Sequence, residues 1–238
     1  MKALILAAGL GTRLAPITES CPKTLVKVGG KAILVNQIEA LQKNGVFDIT
    51  VVAGYKAEVL KETVAAMFDR INVITNNDYA CTNNMYSAYI TKDIFYGEEF
   101  LMMNGDVFFD KEIIGSLLAF DAENAIAVDL SKYSEESMKV VCQNGVISHI
   151  SKVIPQEEAY GCSIDVYKFG KQGGMEFFNK CEQYITVKKD LNKWSEVAIN
   201  DILHKAKFIP LDIKGSRWLE IDNHDDLACA ERLFADKS

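Results

Sequence analysis

The chain has 238 residues, of which 49% are apolar and 25% are charged, and its formal net charge is −7. This length and composition predict one globular domain with its own hydrophobic core, and they exclude a chain that is disordered overall. The acidic balance argues against nucleic acid or an anionic membrane as the main partner, because both bind basic surfaces.

The cysteines and the first residues indicate a cytoplasmic protein. None of the six cysteines belongs to a Cys-x-x-Cys pair, so neither a zinc site nor a redox dithiol is expected, and we predict free, mostly buried thiols. The first residues lead directly into a strand-like apolar run and lack the pattern of a secretory signal. No apolar run approaches the roughly 18 residues of a membrane span, so no membrane partner is expected.

The first half of the chain alternates between short apolar runs and helical periodicity. The apolar runs predict strands at residues 3–8, 48–53, 72–75 and 100–103. The periodic segments predict helices at residues 35–44, 58–69 and 83–91, with Val59, Val64 and Met67 on the buried face of the second. Strands that alternate with helices in this rhythm favour a parallel sheet with right-handed crossovers.

The second half adds further strands and closes on a helix. We predict strands at residues 125–130, 139–142, 146–150, 161–168 and 208–213, and helices at 172–183, 194–205 and 225–234. The dipeptide Asn144-Gly145 predicts a hairpin turn between two of these strands. The expected fold class is therefore α/β, with a Rossmann-like, mixed but mainly parallel sheet flanked by helices.

A glycine-containing loop follows the first predicted strand, and two cations follow the loop. Gly9, Gly11 and Thr12 come directly after the strand, and Arg13 and Lys23 lie close behind them. Glycine allows the backbone to approach a ligand and to present N–H groups to phosphate oxygens, while the two cations would neutralise phosphate charge. The segment therefore predicts a site for a nucleoside triphosphate.

Other glycine-rich phosphate loops fit this segment less well. A dinucleotide-binding fold would need a third glycine where Leu14 stands, and an acidic residue where the second predicted strand ends in Ala53-Gly54. A P-loop is excluded, because no Gly-Lys-Ser or Gly-Lys-Thr follows at the required spacing. A tight strand-to-helix turn without a ligand stays open as the alternative.

Residues at other strand ends belong to the same predicted edge of the sheet. Gly9, Gly54 and Asp106 each follow the carboxyl end of a predicted strand, where open α/β sheets bind their ligands. Asp106 and the distant Asp222 are candidate ligands of Mg²⁺, a hard cation that prefers oxygen. A turn or helix cap is the alternative for Asp106, and Glu220 is the weaker candidate ligand.

Residues 82–87, with the sequence Thr-Asn-Asn-Met-Tyr-Ser, form the predicted base-recognition segment. Asn83 and Ser87 offer both donors and acceptors, as recognition of a cytosine edge requires. Thr82 or Asn83 is also expected to cap the helix that begins here. Capping and base contact use different atoms, so the two interpretations are compatible.

Five segments together resemble the nucleotidyltransferases that join a nucleoside triphosphate to a phosphorylated sugar or small alcohol. They are residues 3–23, 104–107, 150–152, 160–161 and 218–223. Residues 82–87, with the late Glu-Ile-Asp-Asn, are most similar to the cytidylyltransferase branch. The resemblance implies a fold of the nucleotide-diphospho-sugar transferase type in one domain, 1–238, with a nucleotide-binding core at about 1–130 and 208–238 and an acceptor-binding lid at about 131–207.

The resemblance also implies a role for each candidate residue. Arg13 and Lys23 would be catalytic, the first at the departing pyrophosphate and the second at the α-phosphoryl group, and Asp106 and Asp222 would hold Mg²⁺. The nucleotide would contact Leu6, Ala8, Gly9, Gly11, Thr12, Gly54, Tyr55, Asn83 and Ser87. The acceptor would contact Lys152, Tyr160, Glu196 and Trp218, together with Trp194. The alternative for the aromatic residues is an ordinary place in the core.

The activity that the resemblance implies is that of a Mg²⁺-dependent cytidylyltransferase. It would join CMP from CTP to a small phosphorylated or phosphonate acceptor, such as phosphocholine or aminoethylphosphonate, in cell-surface glycan or phosphonate biosynthesis. Aromatic and acidic acceptor residues suit a cationic head group. Two alternatives stay open: a sugar-1-phosphate nucleotidyltransferase that uses UTP, dTTP or GTP, and a non-catalytic nucleotide-binding module. The sequence leaves open which acceptor is used and whether the protein forms a homodimer.

Overall fold

A computed structural model of the chain describes residues 1–235. Its strands are β1 (Lys2–Ala7), β2 (Lys27–Val28), β3 (Lys31–Ala32), β4 (Ile49–Ala53), β5 (Ile71–Thr75), β6 (Phe100–Asn104), β7 (Val107–Phe109), β8 (Asn124–Asp129), β9 (Lys139–Gln143), β10 (Val146–Ser151), β11 (Gly161–Phe169), β12 (Phe208–Asp212) and β13 (Trp218–Glu220). Its α-helices are α1 (Ile33–Lys43), α2 (Ala57–Met67), α3 (Asn84–Tyr89), α4 (Lys92–Phe95), α5 (Glu112–Ala119), α6 (Lys171–Glu182), α7 (Ser195–Ile202) and α8 (His224–Phe234).

A mixed sheet of nine strands forms the centre of residues 1–235. Its strands β6, β1, β4 and β5 are neighbours in that order and are parallel, as the alternating sequence pattern predicts. β11 pairs antiparallel with β6, and the path continues beyond β11 through β9 and β10. β8 also pairs with β11, and β12 pairs with β8. The predicted mixed, mainly parallel α/β sheet is confirmed.

Side chains of β1 alternate between two separate hydrophobic cores. Ala3 and Ile5 pack with α1, α2 and α5 on one face, and Leu4 packs with α3, α6 and α7 on the other. The second core is rich in aromatic rings, and the rings of Phe100 and Phe169 stack with 4.8 Å between their centroids. Because both faces are covered, β1 is a continuous apolar run.

A two-stranded ribbon of β7 and β13 lies apart from the main sheet. Its register pairs Glu220 with Val107, and the N–H of Ile221 donates to the C=O of Asp106 at 2.9 Å. The two chain segments that carry the predicted metal ligands are thus tied by backbone hydrogen bonds, although they are distant in sequence. Neither strand was expected, since each has three residues.

The buried face of α2 differs from the prediction. Ala57, Leu60 and Val64 are buried, whereas Val59 is 36% exposed and Met67 is 54% exposed. Leu60 and Val64 are four residues apart and share one face, while Val59 is rotated away from it. The prediction of an inward Val64 is confirmed, and those for the other two residues are wrong.

Two smaller expectations have opposite outcomes. Asn144 and Gly145 both have positive φ, 51° and 77°, as the predicted hairpin turn between β9 and β10 requires. All six cysteines are free. The prediction of mostly buried thiols is wrong, because Cys162 and Cys181 are the two buried members of the six.

The segment predicted as an acceptor lid contributes to the main sheet. β11 lies within residues 131–207 and pairs with β6 and β8. The boundary between a nucleotide-binding core and a lid therefore stays a prediction. None of the helices within residues 1–235 combines the length and the apolar character needed to cross a membrane.

Candidate active site

A cavity of about 310 Å³ lies at the carboxyl ends of β1 and β6. The predicted residues that line it are Leu6, Ala8, Gly9, Arg13, Asn83, Ser87, Asp106, Lys152, Glu196 and Asp222. A second cavity of about 260 Å³ adjoins it, and the predicted residues there are Leu6, Gly9, Gly11, Thr12, Arg13, Lys23, Asp106 and Asp222. The glycine loop, the two cations and the two aspartates thus meet in one place.

The loop after β1 needs glycine at position 11. Gly11 has a φ of 63°, and a Cβ added to it would lie 2.8 Å from the Cβ of Lys23. The hydroxyl of Thr18 donates to the C=O of Gly11 at 2.9 Å and holds the turn. A larger residue at position 11 would displace the Lys23 side chain, so this glycine allows the cation to reach the carboxylates.

Three carboxylates form a cluster beside this loop. Asp106, Glu220 and Asp222 each offer an oxygen, and these oxygens lie within 4.8 Å of one another. The Nζ of Lys23 lies 2.9 Å from Oδ2 of Asp106 and 2.5 Å from Oδ1 of Asp222. Nη2 of Arg13 lies 2.9 Å from Oδ2 of Asp222. Glu220, the weaker candidate in the sequence, therefore belongs to the cluster with the two aspartates.

The cluster is short of positive charge. Burial opposes ionisation of Asp222, but Lys23 and Arg13 outweigh it and hold the pKa of that carboxyl below its ordinary value. Burial also opposes the charge on Lys23, yet Asp106 and Asp222 raise its pKa well above the ordinary value. Burial and the neighbouring carboxylates raise the pKa of Glu220 to about 9. At neutral pH this shift favours the protonated, neutral form of Glu220 as long as no further positive charge is present.

The cluster fits a hard divalent cation. Oδ1 of Asp106 is buried and has no hydrogen-bond partner among the described residues. A buried carboxylate oxygen without a partner is costly, so a ligand is expected to meet it. Three carboxylates are the kind of donor set that Mg²⁺ prefers. Asp106, Glu220 and Asp222 are therefore the residues that would hold the ion.

We expect Glu220→Gln to stabilise the metal-free protein. The pKa of Glu220 rises from 4.5 to about 9 on folding, so between those pH values the folded state binds more protons and the free energy of unfolding falls as the pH rises. Glutamine removes this penalty. The free energy of unfolding of the variant should therefore exceed that of the wild type only slightly near the unfolded pKa, and by about 1–3 kcal/mol at neutral pH.

Urea unfolding in the presence of EDTA, followed across this pH window, measures that difference. When Mg²⁺ replaces EDTA, the ion should stabilise the wild type more than the variant. A variant that is no more stable than the wild type at alkaline pH would contradict the crowding of negative charge around Glu220.

Helix α3 carries the predicted base-recognition segment to the cavity wall. Oδ1 of Asn83 accepts from the N–H of Asn84 at 2.8 Å, so the predicted cap is present. Asn76, which was not predicted, donates from Nδ2 to the hydroxyls of Thr82 at 3.0 Å and Ser87 at 3.1 Å, and all of these residues line the cavity. Asn76 directly follows β5, so the strand-end rule could have found it.

Gly54 and Tyr55, predicted to contact the nucleotide, lie behind the cavity wall. A Cβ on Gly54 would lie 2.4 Å from the C=O of Ala8 and 2.6 Å from the Cβ of Tyr79. The ring of Tyr55 meets that of Tyr79 edge-on with 6.3 Å between centroids. Ala8 and Tyr79 line the cavity, so the pair Gly54-Tyr55 supports the wall instead of forming it.

Three of the predicted acceptor residues are at the main cavity. Lys152 and Glu196 line it together with Trp194, and the Nζ of Lys152 lies 5.3 Å from the centre of the Trp194 ring. Glu196 is 2% exposed, so it forms the floor of the cavity. A cation, an aromatic face and a carboxylate therefore surround one space.

The structure does not bring Tyr160 and Trp218 to the main cavity. Tyr160 precedes β11 and is 45% exposed, and its N–H donates to the C=O of Val140. Trp218 is buried, donates its ring N–H to Asp129 at 2.7 Å, and borders a smaller cavity that Glu220 and Asp222 also line. Trp218 thus corresponds to the alternative of an ordinary packed aromatic residue.

Four further cavity residues were not predicted: Tyr79, Asn104, Met138 and Asp165. Asn104 is the last residue of β6, where the strand-end rule again applies. Asp165 lies in an irregularity of β11 and has a φ of 57°. A bulge of this kind has no clear sequence signal, so its position depends on the pairing of β11 with its neighbours.

A glycine loop, paired cations and a carboxylate cluster at the strand ends of an α/β sheet are typical of nucleotide-dependent phosphoryl and nucleotidyl transferases. Residues 2–153 match the nucleotidyl transferase family, and the chain belongs to that family.

Cytidylyltransferases are among the proteins that this chain resembles, and so is a UTP--glucose-1-phosphate uridylyltransferase of Haloferax volcanii, 31% identical over 66% of each chain. A choline-phosphate cytidylyltransferase of Streptococcus pneumoniae is 46% identical over 96 residues, which are 39% of this chain and 40% of that protein. A CTP:phosphoglutamine cytidylyltransferase of Campylobacter jejuni is 28% identical over 251 residues, covering 95% of this chain and 98% of that protein. The match therefore spans well under two thirds of the Streptococcus pneumoniae protein and nearly all of the Campylobacter jejuni protein.

A solved structure confirms the fold. The CTP:phosphocholine cytidylyltransferase from Streptococcus pneumoniae superposes with a TM-score of 0.81 at 24% identity, and the match covers 97% of each chain.

Proposed function

We propose that the protein is a Mg²⁺-dependent cytidylyltransferase, which transfers CMP from CTP to a small phosphorylated or phosphonate acceptor and releases pyrophosphate. The observation that carries this proposal is the convergence of Arg13 and Lys23 with Asp106, Glu220 and Asp222 at the glycine loop. Membership of the nucleotidyl transferase family and the names of the relatives support it.

The site suits an in-line displacement at the α-phosphorus. An anionic oxygen of the acceptor forms a bond to phosphorus, and the bond to the bridging oxygen breaks, so that the electron pair leaves with pyrophosphate. The nucleophile is already charged and needs no general base, so positioning and neutralisation of charge carry the rate. When bound, Mg²⁺ would supply additional positive charge at the phosphoryl oxygens.

Lys23 and Arg13 would divide the phosphate charge between them. Lys23 is nearly buried, with 12% of its side chain exposed, and would leave Asp106 and Asp222 for an α-phosphoryl oxygen. Arg13 is 60% exposed and lines both cavities, so it would stabilise the departing pyrophosphate at the rim. Their separation by depth supports a role for the compact ammonium at the reaction centre and for the guanidinium fork at the leaving group.

The wall formed by α3 supports CTP as the nucleotide. Thr82, Asn83, Asn84 and Ser87 line the cavity with amide and hydroxyl groups. Cytosine has both a donor and acceptors on its edge, which such groups can pair. Recognition through hydrogen bonds discriminates strongly, because a wrong base leaves buried polar groups unpaired.

Pyrophosphate release tests the function directly. CTP, UTP, dTTP, GTP and ATP are each assayed with phosphocholine, aminoethylphosphonate, phosphoglutamine, glycerol phosphate and sugar 1-phosphates. We expect release from CTP with at least one of the small acceptors, and loss of the signal in EDTA. Faster release from UTP, dTTP or GTP with a sugar phosphate would replace the proposal by a sugar-phosphate activity. Binding of CTP without release from any pair would identify a non-catalytic module.

A further inference from the structure

The floor of the main cavity holds a pair of buried carboxylates that take no part in the chemical step of the proposed transfer. Asp165 is 6% exposed and Glu196 is 2% exposed, and both line the cavity. The hydroxyl of Tyr167 lies 2.9 Å from Oδ1 of Asp165 and 3.0 Å from Oε1 of Glu196. Buried carboxylates are costly unless their charge is compensated, so the pair calls for a positive partner.

Neutral groups around the pair do not supply that charge. Tyr167 has one hydroxyl hydrogen and can donate to only one of the two carboxylates at a time. Nδ2 of Asn104 donates to Asp165 at 3.1 Å, and the hydroxyl of Ser195 donates to Glu196 at 3.2 Å. Within residues 1–235 neither carboxylate has an ion-pair partner. Burial, with the charges of Glu196 and Asp106, raises the pKa of Asp165 to about 7.

A cation in the wall supplies an independent reason to expect a charged ligand. The ammonium of Lys152 lies over the ring of Trp194, and Lys152 lines the same cavity as Asp106, Glu220 and Asp222. Asp165 and Glu196 line this cavity too, so an acceptor whose phosphate or phosphonate is held by Lys152 could reach the floor with its other end. The cavity therefore offers an anion site and a cation site at the two ends of one small acceptor.

We infer that Asp165 and Glu196 bind a primary ammonium group of the acceptor, opposite the phosphate or phosphonate group at Lys152. This inference rests on the proposed cytidylyl transfer. A primary ammonium has three N–H donors for the oxygens around Tyr167. Lys152, Asp165 and Glu196 line one cavity of about 310 Å³, so the carbon chain between the two ends of the acceptor is short.

A quaternary ammonium fits the same floor poorly. A trimethylammonium group has no N–H to donate and is recognised by several aromatic faces. Among the described lining residues, Tyr79 and Trp194 are the aromatic ones, and the floor is formed by recessed carboxylates. Amino-alkyl phosphates and phosphonates are therefore preferred over phosphocholine.

Matched acceptors test this preference in the CTP-dependent assay. Aminoethylphosphonate and phosphoethanolamine carry a primary amine, phosphocholine carries the trimethylated one, and ethyl phosphate carries none. We expect kcat/KM for the two primary amines to exceed that for the other acceptors by about 10²-fold or more. The other acceptors would leave the buried carboxylates of the floor without a hydrogen-bonding partner. The effect should lie mainly in the KM for the acceptor.

Conservative variants assign the preference to the two residues. In Glu196→Gln and in Asp165→Asn, kcat/KM for the primary amines should exceed that for the other acceptors by no more than about tenfold, while the KM for CTP stays unchanged. Asparagine tolerates the positive φ of Asp165, so that variant preserves the backbone. Glu157→Gln, which removes an exposed carboxylate, is the control and should keep the preference.

The outcomes separate the inference from the proposed function. Turnover of CTP with phosphocholine, ethyl phosphate or a sugar phosphate as the best acceptor would overturn the inference alone. No pyrophosphate with any acceptor would overturn both. If a variant does not fold, calorimetric titration of the wild type with aminoethylphosphonate and with ethylphosphonate, each with a non-hydrolysable CTP analogue, decides the question, and equal affinities would overturn the inference.

Discussion

Asp106→Asn should lower kcat by about 10³-fold while the fold stays intact. Oδ1 of Asp106 is buried without a partner among the described residues, and Oδ2 accepts from Lys23 at 2.9 Å. Asparagine keeps the shape but removes the charge, and its amide nitrogen cannot bind a cation. The variant would therefore lose a proposed metal ligand and the anion that pairs with Lys23, both at the proposed reaction centre.

Single-turnover rates with CTP and the best acceptor, at saturating Mg²⁺, measure this effect. Thermal unfolding of the same preparation shows whether the fold is retained, and the stabilisation by Mg²⁺ should be much smaller than in the wild type. Asp121→Asn, at an exposed loop position, is the matched control and should behave as the wild type. Near-normal turnover of a folded Asp106→Asn protein would refute the metal assignment.

Lys23→Met should damage both activity and stability. Lys23 is held by Asp106 and Asp222, with 12% of its side chain exposed, and methionine retains much of its volume without the charge. Removing one partner of a buried ion pair leaves the others uncompensated, so we expect a loss of about 3 kcal/mol in the free energy of unfolding without metal. Turnover should fall at least about 10²-fold, because the α-phosphoryl charge loses its nearest cation.

The pH dependence distinguishes this loss from a packing defect. Lys23 and Arg13 hold the pKa of Asp222 below its ordinary value, so Asp222 stabilises the protein above its unfolded pKa and this contribution disappears as the pH falls through its folded pKa. The deficit of Lys23→Met should therefore be largest at neutral pH and shrink in acid.

Urea unfolding in EDTA at several pH values measures the deficit, with the exposed Lys27→Met as the control. Added Mg²⁺ should restore part of the stability, because it occupies the same carboxylates, but it should not restore turnover. A deficit that is constant with pH would indicate lost packing in place of lost ion pairs.

Local patterns were enough to predict the parts of the molecule that are built locally. The apolar run of β1, the left-handed Gly11 behind it and the cap at Asn83 each follow from conformational preferences of a few neighbouring residues. The placement of Asp106 after β6 follows from the rule that strand ends of a parallel sheet share one edge.

Predicted and observed placements differ where the outcome depends on contacts between distant segments. Glu220 joins the carboxylate cluster because the short ribbon of β7 and β13 brings it to Asp106, and a three-residue strand has almost no signal of its own. Trp218 has an aromatic side chain of the kind expected in the acceptor site, but it packs against Asp129 outside the main cavity. Its role depends on which neighbour is available, and composition does not specify that.

The amino-acid sequence was sufficient for the α/β fold class, the glycine loop and the chemical nature of the predicted ligands, because hydrophobic period, turn preference and side-chain chemistry are local properties. Only the tertiary structure brings Glu220 to the two aspartates and buries Lys23 more deeply than Arg13. It also places Asp165 beside Glu196 on the cavity floor. These features depend on strand pairing, on a bulge and on burial, each of which is created by residues far apart in the chain.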